Sequence, residues 1–230
     1  QIADIAGGSH HAVMGILASV IERGISGEGQ HIDISMTDAA FTLNGIFGAG
    51  AVGADLDPQL GETALNGGCF YDYYQTSDNR YISVGSLEPK FAGLFFKNIG
   101  HSEWLPRVLS PDVSHQQALK EDIAKVISEQ SLSYWQSLFD PLDACVEPVL
   151  SVSEAAKSQL MQDRNMIVDV RSLAGDIVKQ IAPAIKFSNT KSELPMCVTE
   201  PDGIYVKKLL QDINYQETDV EQLLKNNIVK

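Results

Sequence analysis

Apolar residues recur at helical spacing over Ala12, Val13, Ile16, Leu17, Val20 and Ile21, with Ser9 in place as an N-cap and Gly24 just past the last turn. The pattern predicts an amphipathic helix. Ser26-Gly27-Glu28-Gly29 is turn chemistry, and after it Ile32, Ile34 and Met36 alternate with Asp33 and Ser35 as in a half-buried strand. Thr37-Asp38 is placed to cap a second helix over residues 39–49, whose Gly and Ala content suits close packing. Residues 55–68 read as loop. Residues 70–75 and 80–84, joined by Ser77-Asp78-Asn79, read as a β-hairpin that opens a second domain.

Ser86-Leu87-Glu88-Pro89 leads into a helix carrying Phe91, Leu94, Phe95 and Ile99, because proline fits the first helical turn. Glu88 then sits at the helix mouth. Helical spacing continues over residues 116–129 and 133–139, followed by a short buried run at 144–150. Ser151-Val152-Ser153-Glu154 is a capping-box signature. Residues 166–170 are strand-like, and Pro183, Pro195 and Pro201 mark an extended return segment before helices over residues 204–213 and 218–226. The whole is a mixed α/β chain without internal repeats.

Composition narrows the functional classes. Thirty acidic residues against seventeen basic ones give a formal charge of −13, which disfavours attraction to nucleic-acid phosphates or anionic lipid. Arg23 is the one base in residues 1–60, so a phosphate-rich ligand must find its cations elsewhere. No apolar run reaches the ~18–20 residues of a membrane-spanning helix, since Gly48, Gly50 and Gly53 interrupt the longest weakly polar stretch. Cys69, Cys145 and Cys197 are widely spaced and form no CxxC pair, which argues against a disulfide framework or zinc site and for a reducing, cytoplasmic setting. The sequence opens on Gln1-Ile2-Ala3-Asp4, with neither an initiator Met nor a basic-plus-apolar signal, and reads as part of something longer.

Candidate chemistry is sparse. Asp4 precedes Gly7-Gly8 and the expected helix, where the helix dipole favours an ionised carboxylate; it is either a turn former or a functional acid or base. The glycine pair would let a ligand approach the backbone, with helix N–H groups facing an anion or enolate oxygen. Glu88 has the same two readings, structural cap or site residue. His10 and His11 point in different directions and have no third ligand at suitable spacing, so no metal site is expected. His31, His101 and His115 have no visible nucleophile partner. Gly67-Gly68 precede Phe70, Tyr71, Tyr73 and Tyr74, which either edge an apolar pocket or simply pack the core. Walker, GxGxxG, GxSxG and HExxH motifs are absent.

Five phrases stand in order along the chain: Asp4-Ile5-Ala6-Gly7-Gly8, Gly27-Glu28-Gly29-Gln30-His31-Ile32-Asp33, Asn66-Gly67-Gly68-Cys69-Phe70-Tyr71, Val84-Gly85-Ser86-Leu87-Glu88-Pro89-Lys90-Phe91, and Asp143-Ala144-Cys145-Val146-Glu147-Pro148-Val149-Leu150. Together they resemble the α-methylacyl-CoA racemases of the class III CoA-transferase superfamily. The resemblance implies the class III CoA-transferase fold, an α/β architecture with a large domain and a smaller α+β domain, two complete chains interlocking as a homodimer. It implies that residues 1–35 belong to the large domain with the catalytic Asp, 36–65 are a linker, 66–150 form the small domain, and 151–230 return to the large domain with C-terminal helices. It also implies an upstream part carrying a nucleotide-binding α/β unit and a catalytic histidine, without which this stretch would be a poor racemase.

The implied reaction is inversion of the α-carbon of a 2-methylacyl-CoA thioester through an enolate. Asp4 matches the acid/base, Glu88 matches the glutamate supporting the histidine, and Gly7, Gly8, Gly67 and Gly68 fall at the substrate. The acyl-CoA is the substrate partner; the resemblance implies no separate cofactor and no metal. His10 and His11 follow Asp4 whereas the family histidine precedes it, so they do not take its role. Because the weakly acidic α-proton demands enolate stabilisation as well as a base, the helix start beside Gly7 and Gly8 is the expected source of that stabilisation. Two alternatives remain. A CoA-transferase would use Asp4 as a nucleophile forming an aspartyl intermediate, although such transferases generally lack the glutamate of the Val84–Phe91 phrase. The other is a noncatalytic interaction fragment.

Overall fold

The structure is a computed structural model describing residues 1–65, 67–171, 176–190 and 203–229. It divides into two compact units, Gln1–Val149 and Leu150–Lys230.

The first unit opens with a π-helical stretch, Ile2–His10, that runs directly into α1, His11–Ser26. The helix therefore starts ahead of the expected Ser9 cap, and the Ser9 hydroxyl instead donates to the Asp4 carbonyl within it (3.4 Å). It also passes through Gly24 and stops at Gly27, whose left-handed backbone (φ 79°) lets its amide return to the Arg23 carbonyl. Glycines are tolerated inside this helix where a neighbour comes close. A Cβ on Gly7 would lie 3.4 Å from Ala39 Cβ, and one on Gly8 3.3 Å from Met36 Cγ.

The strand expected at residues 32–36 does not form. Ile32 and Ile34 do share one side of an extended segment, but they lie against the helix at Gly15, whose added Cβ would sit 3.2 Å from Ile32 Cγ2. The alternation is real; its partner is a helix and not a sheet. The single helix expected over residues 39–49 is two: α2, Met36–Thr42, and α3, Gly45–Ala54. Ser35, rather than Thr37-Asp38, is the cap, its hydroxyl accepting the Asp38 amide (3.3 Å).

Downstream, β1 (Asp72–Gln75) and β2 (Tyr81–Val84) form the expected antiparallel hairpin, with Tyr74 opposite Ile82. Asp78 closes its turn by accepting from the Thr76 hydroxyl (2.5 Å) and the Leu132 amide (3.1 Å). The run at 144–150, expected to be buried, alternates instead: Ala144 and Val146 are buried while Cys145, Glu147 and Val149 are exposed, because the segment supplies β3 (Val146–Pro148), which pairs with β2 and gives the order β1-β2-β3. Three helices cover the sheet: α4 (Pro89–Asn98), α5 (Val113–Ile127, capped by Asp112) and α6 (Leu132–Phe139). Phe70, Phe95, Phe96, Leu119, Ile123 and Ile127 are fully buried between these layers. The Trp135 indole N–H finds the Ile127 carbonyl at 2.9 Å, so this large ring is buried without an orphaned donor.

The second unit begins with α7 (Val152–Lys157), whose capping box is complete: the Ser151 amide donates to Glu154 Oε2 (2.8 Å) and the Glu154 amide to Ser151 Oγ (3.3 Å). Helix α8 (Gln159–Asp163), the β4–β5 hairpin (Ile167–Arg171 with Ile177–Ile181), α9 (Gly203–Asp212) and α10 (Glu217–Lys225) follow. Pro183 lies outside any strand or helix, as an extended return requires, whereas Pro195, Pro201 and Cys197 lie outside the described residues. Among the described residues no helix is long and apolar enough to cross a membrane.

Candidate active site

Asp4 stands in the first turn of the π-helical stretch with its side chain exposed. Among the described residues no hydrogen bond or ion pair engages its carboxylate. Gly7 and Gly8 were expected at the helix mouth, but the helix starts at Ile2, so both lie inside it; Gly7 is buried and Gly8 half-buried against α2. The small-residue face packs on Met36 and Ala39, where an added Cβ would be in ordinary contact at Gly7 and tight against the Met36 side chain at Gly8. His11 is occupied locally, its Nδ1 2.7 Å from the Ala6 carbonyl.

The phrase leading to Glu88 is fastened to the phrase around Cys145. Val84 pairs with Val146, the Gly85 amide donates to the Cys145 carbonyl (2.8 Å), and the buried Ser86 hydroxyl donates to the Ala144 carbonyl (2.6 Å). Gly85 permits this approach, because a Cβ there would stand 3.3 Å from the Cys145 oxygen and 3.4 Å from the Tyr71 ring. The chain then turns outward. Glu88 is exposed at the N-terminus of α4, and its side chain makes no capping bond. Lys90 and Asp143 form an exposed ion pair nearby (3.6 Å), a geometry that contributes little to stability. The Cys145 thiol is pushed above its ordinary pKa, first by desolvation and then by the negative charges of Asp143 and Glu88.

Beside these phrases opens a cleft of about 570 Å³, walled in part by Gly67, Tyr71, Asp72, Gly85 and Cys145. Gly67 has φ 102°, a conformation suited to glycine, and its carbonyl accepts from Lys120 Nζ (3.1 Å). The same ammonium pairs with Asp72 Oδ2 (2.5 Å). Gly68 instead closes the loop behind the rim, where its amide donates to the Thr63 carbonyl (2.9 Å) and a Cβ would collide with the Glu62 backbone at 2.5 Å. Asn66 of the same phrase lies outside the described residues.

The aromatic run divides between its two readings. Phe70 and Tyr74 belong to the core, Tyr74 donating to the Phe70 carbonyl (2.7 Å) with its phenol pKa raised by burial, while Tyr71 and Tyr73 face the cleft. Asp72 and Cys145 of the cleft wall, and Lys120 bonded behind it, had no local signature marking them. Lys120 is separated by 53 positions from the glycine it binds, and no short-range pattern announces such a bond. Among the described residues no group of three or more His, Cys, Asp or Glu side chains is arranged to hold a metal ion.

Comparison with known proteins places the chain in a family. The model for CoA-transferase family III matches residues 1–197. Alpha-methylacyl-CoA racemase from Mus musculus is 31% identical over 234 residues, covering 100% of this chain and 59% of its own length. The Homo sapiens protein of the same name is 28% identical with the same coverages. The chain thus spans about three-fifths of the length of these curated relatives. A CAIB/BAIF family protein from Brucella suis, solved by crystallography, superposes with a TM-score of 0.66 at 19% identity, over 86% of this chain and 52% of that one. That likeness shows a shared fold.

Proposed function

The chain belongs to CoA-transferase family III, and from that premise we propose that the protein of which it is a part inverts the α-carbon of a 2-methylacyl-CoA. The observation that carries the reading is Glu88: an exposed carboxylate at the end of a backbone path fixed by Gly85 and Ser86, near Cys145 of the cleft wall. Asp4 is the acid/base on one face of the substrate. An opposite-face histidine, supplied by the upstream part and supported by Glu88, serves the other. Removing the α-proton leaves an enolate, and returning a proton from the other side inverts the centre. Gly7, Gly8, Gly67 and Gly68 complete the substrate side of the site, Gly67 directly at the cleft and the other three by allowing the backbone its close approaches.

In this proposal the acyl-CoA brings the CoA with it, and neither a separate cofactor nor a metal takes part. Residues 1–35 serve in the large domain, 36–65 as linker, 66–150 as the small domain, and 151–230 as the return to the large domain. The working form is a cytoplasmic homodimer. Most contacts to the CoA phosphates come from outside residues 1–60, where Arg23 is the one base.

The test is incubation of the full-length protein with a 2-methylacyl-CoA in deuterated water. Deuterium should appear at the α-carbon and the stereochemistry should equilibrate. Transfer of CoA to a free carboxylic acid, with no α-label, would replace this reading by an aspartyl transferase.

A further inference from the structure

Lys120 is a half-buried cation aimed at the rim of the cleft. Its side chain is 16% exposed, and its ammonium is divided between the Asp72 carboxylate and the Gly67 carbonyl. Both of those residues line the cleft. Within the loop carrying Gly67, the Gly68 amide donates to the Thr63 carbonyl (2.9 Å) and Cys69 Sγ to the Ala64 carbonyl (3.3 Å). Lys120 anchors it from a rigid element, since α5 packs its Leu119 and Ile123 fully into the core.

We infer that Lys120 is a positioning residue that sets how tightly the cleft holds the acyl-CoA, not how fast its proton moves; this rests on the thioester reading above. Two effects act together. The bond to Gly67 fixes the rim at its left-handed glycine, and a site whose walls are fixed in advance binds without the cost of ordering them. The charge neutralises Asp72, which would otherwise present a bare carboxylate to a polyanionic substrate in a chain already at −13. Lys120 touches no reacting atom in this scheme.

The experiment uses the full-length protein with Lys120→Met, Lys120→Arg and the double variant Lys120→Met/Asp72→Asn. Affinity for an unreactive acyl-CoA thioether is measured alongside KM and kcat for α-proton exchange. Lys120→Met should weaken thioether binding and raise KM about tenfold, with kcat changed less than about twofold, because it removes binding common to ground and transition states. Lys120→Arg should restore most of the loss, and the double variant should recover the electrostatic part only. The double variant leaves no uncompensated carboxylate and so decides the matter if Lys120→Met fails to fold. Wild-type thioether affinity in both the single and double variants, or in the double variant when only it folds, would overturn the inference, as would a fall in kcat at unchanged KM. Wild-type protein that binds the thioether but exchanges no proton would sink the racemase reading alone, and Lys120 would still be judged on thioether affinity.

Discussion

The amide of Gly85 donates to the carbonyl of Cys145 at 2.8 Å, and Cys145 directs that carbonyl from a left-handed backbone, φ 53°, that side-chain-bearing residues adopt only when their surroundings hold them there. The next carbonyl back, Ala144, takes the buried Ser86 hydroxyl. Two phrases remote in sequence are thereby locked edge to edge. What emerges from the lock is Glu88, with a fixed backbone and an exposed side chain that makes no capping bond. That combination suits a residue whose carboxylate must act on something arriving from outside the sheet.

Glycine substitutions separate shape from chemistry at the cleft. Gly68→Ala should destabilise by roughly 1–3 kcal/mol or more, because its Cβ would meet the Glu62 and Thr63 backbone at 2.5–2.8 Å and no flexible side chain is there to yield. Gly93→Ala, in the middle of α4 with nothing within 4 Å of the added Cβ, should instead stabilise by about 0.5–1 kcal/mol. Chemical denaturation of both variants reads the two signs. Equal midpoints would contradict the tight closure of the 62–68 loop.

Acid should loosen the hairpin turn. The Thr76 hydroxyl, and then the Leu132 amide, hold the Asp78 carboxylate below its ordinary value of 3.8. A carboxylate with a depressed folded pKa contributes stability that is present above its unfolded value and is lost as pH falls through the folded one. Thermal unfolding should therefore show a decline below about pH 4 that is shallower in Asp78→Asn than in the parent. Parallel pH curves for the two proteins would remove Asp78 from this account.

Local signals in the sequence match the structure where the partner is also local. The Ser151/Glu154 box, Pro89 at the start of α4 and the Ser77-Asp78-Asn79 turn each act within a few residues, and each appears as expected. Departures come where a distant partner decides. Ile32 and Ile34 alternate like a strand, yet they meet a helix at Gly15. Ser9 resembles a cap, yet the residues before it extend the helix back to Ile2. The run at 144–150 reads as buried, yet only Ala144 and Val146 are, because it is a strand whose pairing with β2 is set across the domain. At the cleft, the glycine and Glu88 phrases stand out through family resemblance, whereas Lys120 and Asp72 belong to an ion pair that only folding assembles.

Glu88→Gln tests the candidate site with the least structural disturbance. The side chain is exposed and caps nothing, so the exchange keeps its shape and should change stability by no more than about 0.5–1 kcal/mol, the scale of a lost charge at a helix N-terminus. Catalysis is another matter if this carboxylate supports the proton-transferring base: loss of general acid–base assistance should slow α-proton exchange roughly 100-fold or more in the full-length protein. Asp143→Asn is the matched control. It removes an equal charge from the same neighbourhood, paired at 3.6 Å with Lys90 and largely in solvent. Exchange slowed by Glu88→Gln and untouched by Asp143→Asn would tie the effect to Glu88 itself. Equal slowing in both variants would reduce Glu88 to one contributor among the acidic groups around Cys145, and unchanged rates in both would leave it as a helix-entry residue.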